Sequence, residues 1–391
     1  MNEAFSRLLS ALPVDHRGAA ADWDALGHTE IGVLLARLAD VPQQREWHGE
    51  GDVRIHTKMV CDALAAMDDF WLLTLEQRQM MYLAALLHDA GKLVCTRVED
   101  GRITSPHHGE TGASMVRRLL IVGCGLGGNA QETALRESIC LLVRFHMKPV
   151  HLLEGSEPEL AIRRLAANGE LAQGFTMRLL CMLAEADVLG RIADDTQELA
   201  ENVRLCAALA QECGCYDGPY PFPTAHVQHA YLSGRRVLPD QPLYDDTWDR
   251  VIMVSALPGT GKDTWIARHC AGMPMLSLDE LRRSMGVSPE DEQGSVAQAA
   301  KEQAKAYLRK HQSFVFNATN LSADLRGKWL RLFEQYGAAT EIVYLETGWE
   351  ERCRRNAGRK YAVPEHAVEG MLDKLSPPER MEGTHVRWLC V

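Results

Sequence analysis

The 391-residue sequence has no apolar run long enough to cross a bilayer; stretches such as Met81–Leu87 fall far short of the ~20 residues a spanning helix needs. It has no Cys-x-x-Cys pair, and its 11 cysteines are an odd number scattered along the chain. Cys213 and Cys215, two apart, have a weak metal spacing. A disulfide framework is therefore not expected, and free, mostly buried thiols in a reducing compartment are. The opening Met-Asn-Glu-Ala-Phe-Ser-Arg lacks a basic-then-apolar signal pattern. A soluble, cytoplasmic protein with no membrane partner is the expectation. With 31 Gly and 16 Pro, the chain is neither collagen-like nor of low complexity. Basic charge is scarce overall: the net charge is −11. That argues against wrapping long duplex nucleic acid but leaves room for a local basic site that grips an end.

What is present is enough for a sizeable core, since 46% of residues are apolar and 24% are charged. The length predicts two or three domains. Residues 1–248 carry 22 Lys/Arg against 34 Asp/Glu, whereas 249–391 carry 20 against 19, which supports a boundary near 248. Residues 1–213 read as successive helices: Ile31–Ala39, Met80–Leu87, Ala113–Val122, Leu135–Phe145 and Met177–Asp187 repeat their apolar residues at three and four. Residues 214–248 hold Gly214, Gly218, Pro219, Pro221, Pro223, Pro239 and Pro242 among aromatics, the composition of a connector. From 249 to 391 the texture alternates. Val251–Val254, Phe314–Phe316 and Ile342–Leu345 are short apolar runs, separated by helical stretches, which predicts an α/β domain with a parallel sheet and helices on both faces. The fold class expected is thus multi-domain, an all-α region followed by an α/β domain.

Two constellations carry chemistry. The first is His56, the adjacent pair His88-Asp89, His108, His146 and Asp187, spread over the helices. Neighbouring residues on a helix point about 100° apart, so His88 and Asp89 can share a metal only if other helices complete the shell. His and carboxylate ligands suit one or two divalent transition metals, and a bridging Asp suits a metal pair that hydrolyses phosphoesters. His107 is an alternative to His108, because spacing does not separate neighbours. His48 and His151 read as lying outside the shell.

The second constellation is Ala256-Leu257-Pro258-Gly259-Thr260-Gly261-Lys262-Asp263-Thr264, which follows a strand and opens a helix. That is the setting of a phosphate-binding loop, with Gly259, Thr260, Gly261, Lys262, Asp263 and Thr264 around ATP or another NTP and its Mg²⁺. Two positions depart from the usual pattern: Ala256 replaces its first Gly, and Asp263 replaces the Ser/Thr that meets Mg²⁺. About 20 residues on, Asp279 is placed to accept a hydroxyl proton and Arg282 to hold an acceptor phosphate. Five of the nine residues Arg352–Lys360 are basic, which reads as a lid over donor phosphates with Arg355 and Arg359 on one helix face.

The order of the first set, together with Pro42-Gln43, Trp47-His48, Glu50, His88-Asp89-Ala90-Gly91-Lys92, His107-His108-Gly109 and Ala186-Asp187-Val188-Leu189-Gly190-Arg191, resembles the HD phosphohydrolase superfamily over most of residues 40–200. The likeness is closest to the HD modules of bacterial tRNA nucleotidyltransferases. It implies that His56, His88, Asp89 and Asp187 hold one metal, that His108 and His146 complete a second site bridged by Asp89, and that Lys92 faces the substrate phosphate. The second set, with Asn317-Ala318-Thr319-Asn320 and Val363-Pro364, resembles the polynucleotide kinase branch of P-loop phosphotransferases over 249–375; relatives often carry Asp where Asn317 stands. Together the halves resemble the bacterial HD-Pnk family. That resemblance implies a bifunctional end-healing enzyme whose N-terminal site removes 2′,3′-cyclic, 2′- or 3′-phosphates and whose C-terminal site phosphorylates 5′-OH ends. Its partners would be RNA or DNA ends and a downstream ligase. A small-metabolite kinase fused to a nucleotide phosphohydrolase is the alternative, and an ATP-regulated sensor a further one. Oligomeric state is not legible.

Overall fold

The computed structural model describes residues 3–19, 21–288 and 291–391. The chain forms two compact units, Met1–Tyr220 and Pro221–Val391. Among the described residues no helix is long and apolar enough to cross a membrane. All eleven cysteines are free, and most are buried.

The first unit is helical, as its apolar spacing predicts. Its interior is built on two helices, Leu75–Leu87 and Met177–Leu189, with contiguous buried runs from Met80 to Leu87 and from Leu179 to Ala184. A helix apolar on all sides must sit inside the bundle rather than on it. Helix starts follow capping chemistry: Asp52 accepts from Ile55 N (2.9 Å), Asn129 from Glu132 N (2.9 Å), and Thr74 with Gln77 forms a capping box. One element departs from the helical reading: Arg97–Glu99 (β1) and Arg102–Thr104 (β2) form an antiparallel hairpin, turned at Asp100-Gly101, both at positive φ. The helix expected over Ala113–Val122 is α-helical only to Arg118 and continues as a π-helical turn, Leu119–Gly123.

An ion network ties the helices His108–Arg118 and Ala130–Phe145. Arg117 donates through Nε (2.9 Å) and Nη2 (2.8 Å) to Glu137, and Arg136 Nε donates to the same carboxylate at 2.8 Å. Burial alone would raise the Glu137 pKa, but the two guanidinium charges and their hydrogen bonds hold it below its ordinary 4.5. A depressed folded pKa stabilises the fold above the unfolded value and ceases to do so as pH falls through the folded one. Glu137→Ala is therefore expected to cost roughly 3–5 kcal/mol at neutral pH, because it removes the buried carboxylate that both guanidiniums share. In urea unfolding of the full chain, the gap between parent and variant should narrow as pH falls below 4.5, where Glu137 of the unfolded chain takes up a proton while the folded one still resists it. A gap independent of pH would contradict this.

The second unit is an α/β domain. Trp248–Ser255 (β3), Met275–Ser277 (β4), Phe314–Asn317 (β5), Ala338–Glu346 (β6) and His385–Cys390 (β7) form a five-stranded sheet in the order β4-β5-β3-β6-β7, with every pairing parallel. Alternation along β5 shows the two faces. Val315 joins the cluster of Trp265 and Ile266 from the helix Lys262–His269, whereas Phe314 and Phe316 meet Phe333 of the helix Ala323–Gln335. The stretch 214–248, expected to be a connector, contains the division between the units and a helix, Ala225–Leu232, whose start is capped by Thr224 accepting from Val227 N at 3.1 Å.

Candidate functional site

In the first unit the predicted ligands come from five helical segments and meet. His56 lies within Val53–Ala66, His88 and Asp89 follow Leu75–Leu87, His108 opens His108–Arg118, His146 ends Ala130–Phe145, and Asp187 lies in Met177–Leu189. Two glycines permit the approach. A Cβ on Gly91 would lie 2.0 Å from the carbonyl oxygen of His108, and one on Gly190 would lie 2.6 Å from Val60 N. Any larger residue at either position would push His108 or Asp187 out of place.

The donors form two groups, His56 with His88 and Asp187, and His108 with His146 and Asp89. His56 Nε2 is 2.9 Å from Asp187 Oδ1 and 3.4 Å from His88 Nε2; His108 Nε2 is 3.2 Å from His146 Nε2. Asp89 lies between the groups, with Oδ2 3.3 Å from His88 Nε2 and Oδ1 3.5 Å from His108 Nε2. His107 is left-handed (φ 57°) and exposed ahead of the helix, so it is His108 that reaches the cluster.

The fit to a metal can be tested on proton placement. His88, His108 and His146 each place Nδ1 against a backbone carbonyl, of Ala85 (2.8 Å), Ser105 (2.9 Å) and Val143 (2.7 Å). A carbonyl only accepts, so Nδ1 carries the proton and a neutral imidazole turns the Nε2 lone pair inward. Converging lone pairs beside two carboxylates repel one another unless a cation lies among them. Asp89 is buried; its Oδ1 accepts no hydrogen bond, and its Oδ2 pairs with Lys92 Nζ at 2.8 Å. These residues fit a pair of divalent cations. The surroundings divide the imidazoles: against the opposing effect of burial, the Asp187 and Glu50 hydrogen bonds raise the His56 pKa to about 9, while burial and the charges of His108 and His88 push His146 down to about 4. Burial would raise Asp89 and Asp187, yet Lys92 and His88 beside Asp89, and the His56 hydrogen bond to Asp187, hold both well below the usual carboxylate range.

Sequence reasoning gave Glu50 no role. Its side chain is 1% exposed; Oε1 meets His48 Nδ1 (2.8 Å) and His56 Nδ1 (3.1 Å), and Oε2 accepts from Ile192 N (2.9 Å). It orients His56 from behind, as a carboxylate orients a ligating imidazole. The available signal was a carboxylate two residues from one histidine and six from another. Glu50→Ala is expected to weaken divalent-metal affinity roughly 10- to 100-fold, measured by titration of the metal-free chain. Unchanged affinity would show that Glu50 only fills space. His48 stands behind His56, and His151 is exposed and paired with Glu154 (2.9 Å).

A cavity of about 390 Å³ opens onto this cluster, with Lys92, Arg191, His48 and Trp47 on its wall. Lys92 Nζ, besides Asp89, donates to Gln43 Oε1 at 2.9 Å, so the amine is held at the cavity. Trp47 is 45% exposed there.

In the second unit the loop after β3 runs into the helix Lys262–His269, with Gly259 (φ 89°) and Gly261 (φ 107°) in conformations that favour glycine. A Cβ on Gly259 would stand 2.6 Å from Arg352 O, so the loop lies directly on the helix Trp349–Ala357. Asn320 clamps the loop's base: its Nδ2 donates to Val254 O (2.8 Å), and Ser255 Oγ donates to Asn320 O (2.9 Å). Burial lowers the Lys262 pKa, while the nearby charges of Asp279 and Asp263 pull it back up. Asp279, at the start of the helix Leu278–Met285 after β4, accepts from Arg282 Nη1 at 2.6 Å. Arg282 therefore holds Asp279 in this structure. Thr260 is buried, and Thr264 is exposed.

Arg355 and Arg359 do not share a helix face. The helix ends at Ala357 with Gly358 as its cap, so Arg359 lies beyond it. Arg355 instead donates through Nη1 to Thr260 O (2.9 Å) and so supports the loop from its own helix, while Arg359 is exposed with Nη2 3.8 Å from Asp263 Oδ2.

Residues 251–378 match a family model described as an AAA domain. The chain is 29% identical over 204 residues to a protein named "Multifunctional CCA protein" from Ralstonia nicotianae, a match covering 50% of this chain and 43% of that protein. Similar solved structures include a gluconokinase from Sinorhizobium meliloti 1021 (20% identity, 37% of this chain and 84% of that one, TM-score 0.28) and a sugar kinase from Janibacter sp. HTCC2649 (17%, 36% and 85%, TM-score 0.28). The chain thus joins a helical region to an α/β domain with a parallel five-stranded sheet that resembles P-loop kinases in fold.

Proposed function

We propose that the chain heals broken nucleic-acid ends, with a metal-dependent phosphohydrolase in the first unit and an ATP-dependent 5′-hydroxyl polynucleotide kinase in the second. The observation that carries this reading is the convergence of four imidazoles and two carboxylates on a cavity with a half-exposed indole at its wall. A nucleobase stacks on such a surface, whereas a sugar phosphate has no π-face to match it.

His56, His88 and Asp187 would hold one divalent cation and His108 and His146 another, with Asp89 between them. Such a pair supplies Lewis acidity and a nucleophile at neutral pH for phosphoester cleavage. The chain's own residues do the rest. Lys92 and Arg191 bring positive charge to the phosphate, and Trp47 positions the terminal base. In the second unit the loop amides and Lys262 hold the ATP phosphates, and Asp279, oriented by Arg282, accepts the proton of the attacking 5′-hydroxyl. A ligase that joins the healed ends is the partner expected to act next, and the cytoplasm is the expected compartment.

The test is one oligoribonucleotide bearing a 5′-OH and a 2′,3′-cyclic phosphate, incubated with labelled ATP, Mg²⁺ and a transition metal. Label at the 5′ end and opening of the cyclic phosphate are expected. Both ends unchanged, with sugars phosphorylated instead, would favour the small-metabolite reading. Trp47→Ala should raise KM for the nucleotide end about tenfold, on the scale of one lost base stack. It should leave hydrolysis of p-nitrophenyl phosphate, which has no nucleobase, nearly unchanged. An equal loss on both substrates would remove Trp47 from base recognition.

A further inference from the structure

P-loop sites commonly hold Mg²⁺ between a loop Ser/Thr hydroxyl and an Asp at the end of a nearby strand. Here the loop position after Lys262 is Asp263, and the last residue of β5, the strand beside β3, is Asn317. The two side chains touch: Asn317 Nδ2 donates to Asp263 Oδ1 at 3.0 Å. A carboxylate only accepts, so this contact fixes which way the amide faces. It leaves Asn317 Oδ1 without a hydrogen-bond partner, on a residue only 5% exposed. An unpaired acceptor that deep is costly unless a ligand completes it. The Asp263 side chain, by contrast, is 68% exposed at the mouth of the loop.

We infer that Asp263 and Asn317 are an exchanged pair. The carboxylate of the magnesium site has moved from the strand end to the loop, and the neutral oxygen has moved from the loop to the strand end. Asp263 is then the anionic group facing the Mg²⁺ of MgATP, and Asn317 is the positioning residue that steers its carboxylate. The exchange keeps one carboxylate at the site. An Asp at 317 beside the existing Asp263 would put two anions within hydrogen-bond distance next to a triphosphate, which is unfavourable. The inference rests on nucleotide binding by the second unit, and not on the nature of the acceptor.

The experiment measures ATP affinity of the full chain by calorimetry, in Mg²⁺ and in EDTA, for the parent, Asp263→Thr, Asn317→Asp and the double variant. In the parent, Mg²⁺ should tighten ATP binding. Asp263→Thr should cut that advantage roughly 10- to 100-fold, the range for losing a group that orients or completes a metal shell. Asn317→Asp alone should weaken ATP binding in EDTA, through repulsion. The double variant should return to within a few-fold of the parent, a recovery that a misfolded loop would not show. Retention of the full Mg²⁺ advantage by Asp263→Thr, or a double variant no better than Asp263→Thr, would overturn the exchange. If no variant binds ATP and the parent does not either, the nucleotide reading falls with it. If the affinities follow the expected pattern while 5′-OH RNA stays unlabelled, only the polynucleotide acceptor is wrong.

Discussion

Asp89→Asn is expected to abolish hydrolysis of a 2′,3′-cyclic phosphate, by at least about a thousandfold in kcat, while 5′ phosphorylation persists. Asp89 faces both histidine groups, through Oδ2 toward His88 and His56 (3.3 and 3.7 Å) and Oδ1 toward His108 and His146 (3.5 and 3.9 Å). An amide of the same shape offers one oxygen and no charge, and it turns an N–H₂ toward one of the two groups. The same substitution should suppress metal-induced stabilisation. A ligand present at a hundred times its Kd stabilises the fold by about 2.7 kcal/mol, so the parent's melting transition should rise with added Mn²⁺ or Zn²⁺ and the variant's much less. Equal melting shifts in the two proteins would remove Asp89 from the metal site. The dependence should sharpen with pH, because the imidazoles must shed their protons before they ligate, and His56 holds one up to about pH 9 in the metal-free cluster.

The complementary expectation concerns Lys262→Ala. This change should reduce ATP-dependent phosphorylation by roughly 10²–10³-fold or more while leaving phosphoester hydrolysis intact. Lys262 is the first residue of its helix, where the helix dipole and the loop amides already favour anions. Its amine lies among Asp279, Asp263, Arg359 and Arg282, so its loss leaves the two carboxylates facing the donor phosphates without their nearest compensating ammonium. Lys262→Arg is not expected to rescue, since a planar guanidinium is longer than the point charge the tight loop accommodates. Loss of hydrolysis in Lys262→Ala would mean that the second unit controls the first, as a sensor would.

Much of this was legible in the residues. Helical periodicity through residue 213 and the strands β3, β5 and β6 follow from apolar spacing, because a central strand or an interior helix must be apolar on every side that meets protein. β4 and β7 do not show as apolar runs. The first has three residues, and the second is an edge strand that alternates exposed His385 and Arg387 with buried Val386, so neither carries an apolar run. The two chemical constellations were legible too, since the residue types and their order carry the chemistry.

Residue types and their linear order name the groups this protein brings to its chemistry: four imidazoles and two carboxylates in the first unit, and a glycine-bounded lysine loop with a downstream Asp-x-x-Arg in the second. Those assignments depend on side-chain chemistry and local spacing, which a linear chain displays. Only the tertiary structure decided that His108 rather than His107 enters the cluster, that Glu50 stands behind His56, that Arg355 braces the loop while Arg359 lies beyond its helix, and that Asn317 holds Asp263. Each of these turns on which way a side chain points, or on a partner as many as 142 residues away, as for Glu50 and Ile192. Such pairings are set by how helices and strands pack, and no local pattern in the chain encodes them.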